Sequence, residues 1–172
     1  GSICKLPPTN ENVQEIINKM IKNLLSASNH WQITSIQLIL VESFISSLIF
    51  YINESTLKNI IDQYVIPNLN HSHSDVQESA SHLLSYIVKT SIEFKTIIPN
   101  YIEKFKCMLY DRKSLSNRIA GANGISSIIM GTVLFDNVPQ YVIDGFNLLS
   151  DALEVDSSVD NIINKFLSDF WA

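Results

Sequence analysis

A helical phrase recurs along this chain at a near-constant interval. Ser74-Asp75-Val76-Gln77 opens a run carrying Ala80, Leu83, Leu84, Ile87 and Val88. Ser114-Leu115-Ser116-Asn117-Arg118 opens a second, with Ile119, Ala122, Ile125, Ile128 and Ile129. Asp156-Ser157-Ser158-Val159-Asp160 opens a third, with Ile162, Ile163, Phe166 and Leu167. The openings fall roughly 40 residues apart, the period of HEAT-type helix pairs. Stacked helix pairs bury their faces against their neighbours and leave a long outer surface. Such a surface points towards binding and away from pocket chemistry.

The stretches between these phrases also read as helices. Pro7-Pro8-Thr9-Asn10 is a start signal, with Thr9 or Asn10 as the cap. Val13, Ile16, Ile17, Met20, Ile21, Leu24 and Leu25 then form one apolar face. Trp31 to about Ile52 predicts a long second helix, faced by Ile33, Ile36, Leu40, Phe44, Leu48 and Tyr51. Ile39, Val41, Ile45, Ile49 and Phe50 lie outside that stripe, so this helix is expected to be covered on most sides. Its seven polar residues, from Thr34 to Ser47, make it too polar for an isolated membrane span. Trp31 is expected to staple its helix to a neighbour.

Asn53-Glu54-Ser55 supplies the cap of a shorter helix that closes near Pro67. Ser74 or Asp75 is expected to cap the helix running to about Thr90. A further helix spans Glu93 to Tyr110, and Pro99 marks either a late start or a kink. The helix from Leu115 to Thr132 carries Gly121, Gly124 and Gly131. Each costs roughly 1 kcal/mol in a helix interior, and close approach of a neighbouring helix would offset that. Asp136-Asn137-Val138-Pro139 starts a seventh helix, and Asp156 to Ala172 forms an eighth. No alternating strand pattern appears.

The expected class is therefore all-α, an α-solenoid of about four HEAT-like helix pairs. Residues 1–9 read as a tag scar (Gly1-Ser2) and a loop, and 10–172 as one helical domain. The units run at about 10–53, 54–91, 92–134 and 135–172. The apolar fraction of 46% suffices for a core. Net charge is -5 with no basic stripe, which argues against nucleic-acid binding. Cys4 and Cys107 are too few for a disulfide framework and fit free thiols in a reducing compartment.

Few residue groups suggest chemistry. His71, His73 and Asp75 could begin a metal site, but a third and fourth ligand are missing and His82 lies a turn inside the helix. Gly121-Ala122-Asn123-Gly124 follows a helix start rather than a strand, so helix packing is preferred to a phosphate cradle. Asp151, Glu154 and Asp156 sit at a helix end and the next cap, where capping accounts for them. No enzyme, metal or cofactor is expected, and no membrane partner.

The ordered motifs resemble the C-terminal region of the large single-chain HEAT-repeat proteasome activators. His30-Trp31-Gln32 with the long aromatic helix to Phe50-Tyr51-Ile52 is similar to one family helix. Ser74 to Val88 is similar to another, with Gln77 where Arg is usual. Arg118 to Ile125, Val138-Pro139, Leu149 to Leu153 and Val159 to Phe170 resemble the family's closing segment in order and spacing.

The resemblance implies a non-enzymatic fragment of an activator, working by protein–protein binding. Its partner would be the core proteasome, engaged through the full-length parent to promote ubiquitin-independent degradation. A generic HEAT or armadillo scaffold, gripping a peptide or helix on its concave face, is the alternative. A nuclear and cytoplasmic location is implied as well, although the family's basic insertion before Arg118 is absent. Family members end in a hydrophobic-Tyr-x tail that enters a core-particle pocket. This sequence ends Phe170-Trp171-Ala172, which aligns inside the last matched helix, so the chain reads as truncated. If that end is native, Trp171 would replace the tyrosine. The family also implies acetylated histones as a partner. Ser91 and Ile92 stand where the acetyl-lysine contacts, an Asn and an aromatic, are usual, and Ser91 is a poor substitute for the Asn donor.

Overall fold

In the computed structural model, residues 10–26, 28–91, 93–132, 139–155, 163–165 and 168–169 are described. Seven α-helices lie among them: α1 (Asn10–Leu24), α2 (Trp31–Leu48), α3 (Glu54–Ile60), α4 (Ser74–Thr90), α5 (Ile98–Leu109), α6 (Leu115–Gly131) and α7 (Gln140–Val155). There is no strand among the described residues, so the expected all-α class is what the chain adopts. Of the eighth expected helix, 163–165 and 168–169 are helical, and the rest lies outside the described residues.

Several helix ends differ from expectation, each for a local reason. α2 stops at Leu48 and tightens into a 3₁₀ turn over Ile49–Tyr51. α3 gives way to a π turn over Ile61–Val65 and a 3₁₀ turn over Ile66–Asn68. Pro67 brings no N–H to the ladder there, and the Ile66 N–H bonds back to the Ile61 carbonyl, one residue further than in an α-helix. Pro99 marks a late start, at the first turn of α5, and Glu93–Thr96 forms a separate 3₁₀ turn. His73 is the N-cap of α4 in place of Ser74 or Asp75, and its side chain makes no capping bond. Asn53 and Ser114 do cap α3 and α6, accepting from the Thr56 and Asn117 amides at 2.9 and 3.1 Å.

α4 packs between α2 and α6, and α5 lies along α6. The core is continuous across these elements, with Leu38, Ile45, Leu57, Leu83, Phe105 and Ile128 among its fully buried members. The α6 glycines permit its closest approaches. A Cβ on Gly121 would lie 2.5 Å from the Leu109 amide nitrogen and 2.6 Å from the Phe105 carbonyl of α5. A Cβ on Gly131 would lie 2.6 Å from the Ser85 carbonyl of α4. A Cβ on Gly124 would strike the Phe105 ring.

Most polar contacts between these elements join residues 37 to 46 apart, and Asn123 to the Leu69 carbonyl spans 54. The Ser35 hydroxyl of α2 meets that of Ser79 in α4 at 2.7 Å, 44 residues apart. Ser85 of α4 donates to the Ser127 carbonyl of α6 at 2.8 Å, 42 apart. Among the other helices, Thr56 donates to Gln14 and Asn18 of α1, 42 and 38 apart. Lys104 of α5 donates to Asp62 at 2.8 Å, 42 apart, and Thr96 to Glu54, again 42 apart.

The greatest departure from expectation is α2. The sequence suggested cover on most sides, but only Leu38, Val41 and Ile45 are buried. Ile33, Ile36, Ile39 and Leu40 remain 45%, 55%, 52% and 47% exposed. The reason is the number of neighbours. α4 lies on one flank, through Ser35, and the turn after α1 on the other, where Gln37 donates to the Ser26 carbonyl at 3.0 Å. Among the described residues, nothing covers the side opposite Leu38.

Candidate binding surface

The residues singled out for chemistry do not converge. His73 stacks on Trp31, with ring centroids 4.7 Å apart and an 18° interplanar angle. His71 accepts the His73 amide proton on Nδ1 at 3.1 Å. Trp31 thus ties the start of α2 to the loop before α4. His82 faces Glu78 one turn inside α4 at 3.8 Å, away from that pair. No three His, Cys, Asp or Glu side chains among the described residues are placed to hold a metal ion. Cys107 is exposed on α5 as a free thiol.

Gln77 works as a junction between the loop before α4 and α6. Its Nε2 donates to the His71 carbonyl at 2.6 Å. Asn123 of α6 donates to the Leu69 carbonyl at 2.6 Å and to Gln77 Oε1 at 3.4 Å. The Gly121–Gly124 segment is therefore a packing and linking element inside α6. Asp151 is exposed near the end of α7, while Glu154 has no described side chain and Asp156 lies outside the described residues.

Ser91 sits at the C-cap of α4, its amide bonded to the Ile87 carbonyl at 3.0 Å. It is 5% exposed, and its hydroxyl has no hydrogen-bond partner among the described residues. The group lies inside the protein and does not face a surface ligand. Ile92, Phe170, Trp171 and Ala172 lie outside the described residues.

Two ion pairs lie along α3, the π turn after it, and α5. Lys58 pairs with Glu54 at 2.6 Å, and Lys104 with Asp62 at 2.8 Å. Burial raises the Tyr101 phenol well above its usual range, and the Asp62 and Glu54 charges add to the effect. Lys58 holds the Glu54 carboxyl below its usual value, chiefly by hydrogen bonding. These pairs are exposed and contribute little stability each. The Lys104–Asp62 pair links α5 to the π turn after α3.

What remains is an apolar surface. Ile33, Ile36, Ile39 and Leu40 of α2 are joined by Phe50 and Tyr51 in the turn beyond, 95% and 52% exposed. Ile16 and Met20 of α1 are exposed as well, on the flank away from Gln14 and Asn18. Contiguous exposed apolar residues mark interaction sites more often than chance. The segment Trp31–Tyr51 is also long and apolar enough, by length and composition, to cross a membrane. That differs from the sequence expectation. In the fold the segment packs Leu38, Val41 and Ile45 into the core of a helical assembly.

Sequence reasoning found the residues of this surface but placed them in the core. Hydrophobic periodicity gives the angle of each side chain on its helix and carries no information on how many neighbours that helix has. The one signal available was the width of the α2 apolar arc. The fold and surface define an all-helical protein whose conspicuous exposed feature is an apolar helix face. No protein-family model matches the chain, and no curated protein matches it.

Proposed function

We propose that this chain is a segment of an α-solenoid that works by binding other proteins, and that its parent is a proteasome activator capping the core proteasome. The observation that carries the solenoid reading is the register of the inter-helix hydrogen bonds. Most hydrogen bonds between separate elements join residues 38 to 46 apart, Asn123–Leu69 at 54 being an exception. That is the spacing expected when each helix pair meets the next in a stacked array. The activator reading rests on the ordered motifs from Trp31 to Phe170 described above, within a nuclear and cytoplasmic protein.

The test uses the full-length parent. Affinity-purified parent should enrich core proteasome and accelerate its hydrolysis of a fluorogenic peptide. Absence of both would sink the activator reading and leave the solenoid reading standing. A second reading, a scaffold that grips a peptide or helix, is favoured by the exposed α2 face. Under it, the parent would enrich other partners and leave peptide hydrolysis unchanged. Neither reading uses an acetyl-lysine contact at Ser91, whose hydroxyl is buried.

A further inference from the structure

We draw no further inference here: the strongest candidate, the exposed apolar outer face of α2 with Phe50 and Tyr51 in the turn beyond it, carries none because nothing among the described residues shows what covers it.

Discussion

Gly121 shows how a residue with poor helix propensity is retained by its neighbour. Replacing it with alanine gains about 1 kcal/mol of intrinsic propensity. The added Cβ would sit 2.5 Å from a backbone nitrogen of α5, which cannot swing aside as a side chain can. Overpacking of this kind costs typically about 1–3 kcal/mol, sometimes more, so the clash outweighs the propensity. Gly145 of α7 makes the contrast. Its Cβ would meet Ile129 Cδ1 at 3.1 Å and Ile125 Cγ2 at 3.2 Å, side-chain atoms able to give slightly. Gly121→Ala should lower the urea midpoint clearly, while Gly145→Ala should leave it nearly unchanged. Equal midpoints for the two variants would mean that α5 and α6 do not approach as closely as described.

At the level of elements, helix existence was legible in the sequence and helix ends less so. Apolar periodicity locates α1 to α7 because each buries at least one stripe. Ends are set by which group meets the first free amides, and several side chains compete for that role. Ser74 and Asp75 looked like caps, yet the chain enters α4 one residue earlier. His73 has the extended backbone of an N-cap, with φ -100° and ψ 127°, and offers no side-chain acceptor. Its ring stacks on Trp31, a tertiary contact that no local pattern encodes. Ser114, by contrast, caps α6 through its side chain. Ser114→Ala should therefore cost about 1 kcal/mol, whereas Ser74→Ala should fall within about 0.5 kcal/mol of zero, as at an ordinary surface site. Chemical denaturation of the two variants decides it, and a larger loss at Ser74 would contradict the cap assignment.

Across the whole molecule, the spacing of the helical phrases was legible and the number of neighbours per helix was not. Several hydrogen bonds between helices join residues 38 to 46 apart, close to the 40-residue spacing of the phrases. Periodicity cannot report how many neighbours cover a helix, and so the wide apolar arc of α2 read as buried. α4 has packed helices on two sides, and Val76, Ser79, Ala80, Leu83, Leu84, Ile87 and Val88 are all buried. α2 has three buried residues and a bare outer face. Local opening of a helix exposes only the surface that its neighbours cover, so the opening free energy should follow this difference. Native-state hydrogen exchange should show the amides of α4 and α6 exchanging last, through global unfolding. Those of α1 and α2 should exchange earlier, through a partial opening that leaves α4 to α6 folded. Protection of α2 equal to that of α4 would mean that the cooperative unit spans all the helices and that cover on one side is sufficient.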